Sequence, residues 1–71
     1  MGEREYPKIN GERMRELRVS RGLTLLRLEQ ASGVPYDRLN ELELGSGAAE
    51  DSTIEALADA LDIEPSELFA D

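Results

Sequence analysis

The stretch from Leu23 to Gly45 constrains the fold more than any other part of the chain. It reads Leu23-Thr24-Leu25-Leu26-Arg27-Leu28-Glu29-Gln30-Ala31-Ser32, then Gly33-Val34-Pro35, then Tyr36-Asp37-Arg38-Leu39-Asn40-Glu41-Leu42-Glu43-Leu44-Gly45. A threonine before an apolar-periodic run is a natural N-cap, because its hydroxyl accepts from a free backbone N–H of the first turn. Gly33 takes a turn where a Cβ would be strained, and Val34 drops into the core. Pro35 opens the second helix, where its fixed φ suits the first turn. Leu39 and Leu42, three apart, face inward, and Gly45 ends the helix. The segment is therefore a short helix, a glycine turn and a second short helix.

The flanks read as helical too. With two tyrosines, one phenylalanine and few β-branched residues, the chain has little that favours a sheet. A first helix is predicted from about Gly11 to Arg21, with Asn10 as N-cap, Met14 and Leu17 on one face, and Gly22 in the left-handed position after it. Ser52-Thr53-Ile54-Glu55 has the pattern of a capping box, which predicts Ser52 as the N-cap of a fourth helix. Ile54, Leu57, Ala58 and Leu61 continue it, and Asp62 ends it. Pro65 begins a last short helix carrying Leu68 and Phe69. Residues 45–51 form a flexible loop by composition. The expected architecture is an all-α, compact five-helix bundle. Its expected core is Met14, Leu17, Leu23, Leu28, Val34, Leu39, Leu42, Ile54, Leu57, Leu61, Ile63, Leu68 and Phe69. Residues 1–8 form an N-terminal arm and residues 9–71 the single domain that 71 residues allow.

Composition narrows the chemistry. The chain has no cysteine and no histidine, which removes thiolate and imidazole metal ligands and the usual general base. No phosphate-cradling glycine loop is present, so no catalytic residue, metal site or cofactor is expected. No apolar run approaches the roughly 18 residues of a membrane span. The charged start Met1-Gly2-Glu3-Arg4-Glu5-Tyr6 is no signal peptide, and position 6 is not the serine or threonine that a myristoylation signal expects. A soluble, cytoplasmic protein is expected. Its net charge of −8 is divided unevenly: residues 1–40 carry all eight basic side chains and a balance of +2, and residues 41–71 carry ten acids and no base. Two electrostatic faces, or an acidic half that only keeps the protein soluble, are both compatible with that division.

The order of these pieces resembles the Cro/repressor-type (Xre-like) helix-turn-helix family, lambda-repressor-like in fold. The residues that carry the resemblance are Gly11-Glu12-Arg13-Met14-Arg15-Glu16-Leu17-Arg18, Gly22-Leu23-Thr24, Leu28, Ser32-Gly33-Val34, Leu39, Leu42-Glu43, Gly45, and Ala60-Leu61-Asp62-Ile63 before Leu68-Phe69. They span nearly the whole chain, from about Ile9 to Phe69. The resemblance implies a transcription regulator that reads the major groove of double-stranded DNA with its third helix, as a homodimer on two half-sites. It also implies an ion pair between Arg18 and Glu43 that fixes the angle of that helix.

On the same resemblance the DNA contacts fall at Thr24, Leu25 and Arg27 around the start of the second helix, and at Pro35, Tyr36, Asp37, Arg38 and Glu41 on the third. Arg38 has the chemistry to pair with a guanine edge, and Asp37 or Glu41 to accept from cytosine N4. The starts of both helices offer free N–H groups to phosphates, and Arg4, Lys8, Arg13, Arg15 and Arg21 extend the positive charge. The sequence also departs from the family. Leu25 stands where a phosphate-holding polar residue is usual, Glu29 where a small alanine packs in the turn, Leu44 where a polar or basic residue precedes the glycine, and the next loop carries only acids. A second reading therefore stays open: a protein-interaction module of the same fold, antitoxin-like or an anti-repressor partner, that binds through Leu25, Leu26, Tyr36 and Leu44 and has lost DNA.

Overall fold

A computed structural model describes residues 8–45 and 48–69. In it the chain forms four α-helices, α1 (Gly11–Ser20), α2 (Leu25–Ser32), α3 (Tyr36–Glu43) and α4 (Asp51–Leu61), followed by a 3-10 segment at Pro65–Phe69. The arm expected over residues 1–8 lies outside the described residues except for exposed Lys8, and so do Ser46 and Gly47 of the loop after α3.

Local chemistry sets most boundaries. The Arg13 N–H donates to Asn10 Oδ1 at 3.1 Å and the Arg27 N–H to Thr24 Oγ1 at 3.0 Å, so both helices begin at a side-chain cap. Gly33 closes α2 with φ of 80°, a left-handed value that a side chain would strain. Asp62 ends α4 in the same region, with φ of 57°, a conformation aspartate tolerates better than most residues.

Three expectations need correction. The fifth helix is a 3-10 segment, closed by a Glu67 N–H to Glu64 C=O bond of 3.0 Å, so the bundle has four α-helices. Five residues opening on a proline barely complete one α-turn, and short pieces of this kind adopt the tighter i→i+3 geometry. The capping box at Ser52 does not form the cap. Glu50 is the N-cap, and the Ile54 N–H closes the first turn on the Glu50 carbonyl at 3.0 Å. Ala49 is fully buried, and the packing of that methyl group starts α4 earlier than the local pattern implies. Finally, α1 ends at Ser20 rather than Arg21.

The core contains Met14, Leu17, Leu28, Val34, Leu39, Leu42, Ile54, Leu57, Leu61 and Leu68, joined by Ile9 and Ala49, which the helical spacing did not point to. Leu23, Ile63 and Phe69 pack against it but stay partly exposed. The Asn10 N–H donates to the Leu68 carbonyl at 2.8 Å, tying the start of α1 to the 3-10 segment. Gly11 is buried where α1 meets the end of α3. A Cβ there would lie 2.5 Å from the Glu43 carbonyl oxygen and 2.6 Å from that of Leu42, so only glycine permits this approach.

Candidate nucleic-acid interface

The position of α3 is fixed from beneath by Arg18. Its Nε donates to Glu43 Oε2 at 2.6 Å, its second terminal nitrogen to Glu43 Oε1 at 3.1 Å, and its first to the Leu23 carbonyl at 2.8 Å. One guanidinium thus joins α1, the entry to α2 and the end of α3. The pair is largely buried, with side-chain exposures of 12% and 7%. The hydrogen bonds to Glu43 raise the Arg18 pKa above its ordinary value, outweighing the opposing effect of burial.

With Leu39 and Leu42 buried and Glu43 held below, five residues of α3 are exposed: Tyr36, Asp37, Asn40, Glu41 and Leu44, the last being the residue that closes the helix. Their spacing of one, three and four puts them on a single outward stripe. Asn40 belongs to this stripe and was not among the sequence-derived site residues. The signal was available, because a helical wheel that turns Leu39 and Leu42 inward turns position 40 outward.

The structure separates the remaining candidates. Thr24 is exposed but its hydroxyl is used as the cap of α2. Leu25 is partly buried and packs against the core, three residues before Leu28 on the same face, so it is less exposed than Leu26, Tyr36 and Leu44. Leu26, Tyr36 and Leu44 are exposed, Leu44 most of all at 74%. Arg27 is exposed on α2, and Pro35 is the exposed N-cap of α3. Arg38 does not project with the outward stripe. It is half-buried, donates to Glu41 Oε1 at 3.2 Å and to the Ala48 carbonyl at 2.5 Å, and so straps the following loop to α3. The start of α3 is not fully open to a phosphate either. Glu29 Oε2 accepts from the Tyr36 N–H at 3.1 Å, so the carboxylate that replaces the small turn residue caps the next helix.

Several other cations are committed elsewhere. Arg13 lies 3.8 Å from Glu16 and 3.7 Å from Glu67 of the 3-10 segment. Arg21 donates to the Asp62 carbonyl at 3.3 Å, joining the ends of α1 and α4. Arg4 lies outside the described residues. Among those described, no group of three or more acidic, histidine or cysteine residues is arranged to hold a metal ion, and no helix is long and apolar enough to cross a membrane.

This frame of a capped α2, a left-handed glycine and an exposed α3 has clear counterparts. The helix-turn-helix family HTH_3 matches residues 14–68. The chain belongs to this family of DNA-binding regulators. Among solved structures, the restriction-modification controller protein C.AhdI from Aeromonas hydrophila is similar at 42% identity and a TM-score of 0.79, covering 83% of this chain and 89% of that one. SinR, a master regulator for biofilm formation solved in complex with DNA, shares the fold with a TM-score of 0.80, 23% identity, and coverage of 84% and 97%. Streptomyces albus HEPD, solved with 2-hydroxyethylphosphonate and Fe(II), matches 92% of this chain at 31% identity and a TM-score of 0.77, but the chain spans only 15% of that protein. The same helix-turn-helix frame therefore occurs in a controller protein of similar length and as a small part of an enzyme. No curated protein matches the chain.

Proposed function

We propose that this helix-turn-helix regulator binds double-stranded DNA as a homodimer, with α3 of each protomer in the major groove of one half-site, and acts on transcription in the cytoplasm. The observation that carries this reading is the outward stripe of α3, held at a fixed angle by Arg18 and Glu43 and left uncovered by the rest of the described chain. A helix about 12 Å long fits the major groove, and two copies related by a two-fold axis would address half-sites about one helical turn apart. Dimerisation also answers the charge problem: few cations near α2 and α3 are available for phosphates, so a second protomer doubles a small set of contacts.

The test is binding to a random-sequence duplex as a function of salt, read by fluorescence anisotropy, with sedimentation to give the stoichiometry. Affinity should fall as salt rises, and two protomers should occupy each duplex. Folded protein that binds no duplex at low salt would refute the proposal.

One observation favours a second reading, a protein-interaction module. Leu44, Leu26 and Tyr36 are exposed apolar side chains, and Asp37 and Glu41 share the α3 stripe with two of them. In that case Leu44→Asp would abolish a protein complex while Arg27→Ala and Glu41→Gln would leave any DNA affinity unchanged.

A further inference from the structure

The sequence assigns base recognition to Arg38, but the structure commits that guanidinium to Glu41 and to the Ala48 carbonyl. What remains on the outward stripe of α3 is chemically uneven. Asp37 and Glu41 are acceptors only and are repelled by phosphates. Leu44 offers no polar group. Tyr36 carries one hydroxyl at the end of a ring, at the N-terminal edge of the helix. Asn40 alone carries a donor and an acceptor side by side on one planar group. It is exposed, and its amide has no hydrogen-bond partner among the described residues. It also sits one helical turn from Tyr36 and one from Leu44, in the middle of the face that would lie deepest in a groove.

We propose that Asn40 is the principal base-reading residue and that its target is adenine. The amide oxygen accepts from adenine N6–H and the amide N–H donates to adenine N7, a bidentate pair that no other base edge reproduces in the major groove. The inference rests on the DNA-binding reading above. It replaces a guanine preference through Arg38 with an adenine preference through a neutral side chain, which suits a recognition helix with little free positive charge.

The test starts with selection of preferred sequences from a randomised duplex pool by the full chain. Each adenine of the preferred sequence is then replaced in turn by 7-deazaadenine, which lacks the N7 acceptor. At one adenine per half-site the wild-type protein should lose affinity by roughly five- to a hundredfold. Asn40→Ala should lose a similar factor on the unmodified sequence, accept any base pair at that position, and be indifferent to the deaza substitution there. Its thermal melt should match wild type, since the exposed amide holds nothing in the fold. Arg38→Ala should leave the adenine preference in place.

Three outcomes overturn the assignment: a selected sequence without adenine preference, Asn40→Ala that keeps the full deaza penalty at every position, or Asn40→Ala that weakens all sequences equally with the preference intact. Wild-type protein that binds no duplex at low salt is a distinct result. It removes the DNA-binding reading itself, and this assignment with it.

Discussion

Gly11→Ala tests the packing that sets the height of α3. An ideal Cβ at this position meets three backbone atoms: the carbonyl oxygens of Glu43 and Leu42 at 2.5 and 2.6 Å and the Glu43 carbonyl carbon at 2.8 Å. Ordinary contact begins near 3.4 Å. The start of α1 and the end of α3 would therefore have to separate by roughly 0.8–0.9 Å, and no flexible side-chain end is present to yield instead. Overpacking of this kind costs about 1–3 kcal/mol. An opposing effect exists: φ at Gly11 is not positive, so alanine fits the helical backbone and removes about 0.4–1 kcal/mol of unfolded-state freedom. The net expectation is a loss of about 1–2 kcal/mol, which for a domain of this size lowers Tm by about 4–16 °C. The retreat also pulls on Glu43, so Arg18 must stretch or α3 must tilt. Far-UV circular dichroism melts of wild type and Gly11→Ala measure the first effect, and DNA affinity measures the second. An alanine variant that melts at or above the wild-type temperature would refute the argument that this close approach positions α3.

Three further perturbations bear on the same frame. Removing either Arg18 or Glu43 alone should destabilise by about 3–5 kcal/mol because the survivor is left charged and largely buried, and replacing both by apolar residues should cost less than the sum; additive urea-unfolding energies would contradict this. The raised Arg18 pKa means its contribution is complete below the unfolded value and lost only as pH climbs through the still higher folded one, so a loss of wild-type advantage over the double variant between neutral and mildly alkaline pH would contradict the assignment. Glu29→Gln keeps an acceptor for the Tyr36 N–H while removing a charge from the start of α3; it should leave the melt unchanged and tighten binding to random duplex, whereas Glu29→Ala should lose about 0.5–2 kcal/mol of capping. Leu57→Ala, at a fully buried site, should cost about 2–5 kcal/mol, and a cost under 1 kcal/mol would show that the core is not packed as described.

What the sequence shows well is chemistry resolved within a few residues. Asn10, Thr24, Gly33 and Asp62 mark helix ends through bonds or dihedral needs that close inside one turn, and each does so in the structure. The inward leucines of α3 follow from spacing alone. What it hides is any choice settled between distant segments. Ser52 has the pattern of a cap, but the burial of Ala49 moves the start of α4. Arg38 has the chemistry of a base reader, but a carbonyl ten residues away takes its guanidinium. Glu29 reads as a misplaced charge until the Tyr36 N–H is found beside it. The same distinction governs the charge count. The +2 balance of residues 1–40 suggests a basic face, yet Arg13, Arg18, Arg21 and Arg38 are each drawn to an acid or a carbonyl within the chain. On α2 and α3 this leaves Arg27 as the cation without an ion pair among the described residues, while the carboxylates of Asp37 and Glu41 on α3 are also exposed. Because the salt dependence of binding counts the phosphates neutralised, each protomer of the proposed dimer should contribute only a shallow slope. On the proposed reading, discrimination between DNA sequences rests on uncharged contacts at the base edges, which is the part of α3 that formal charge leaves invisible.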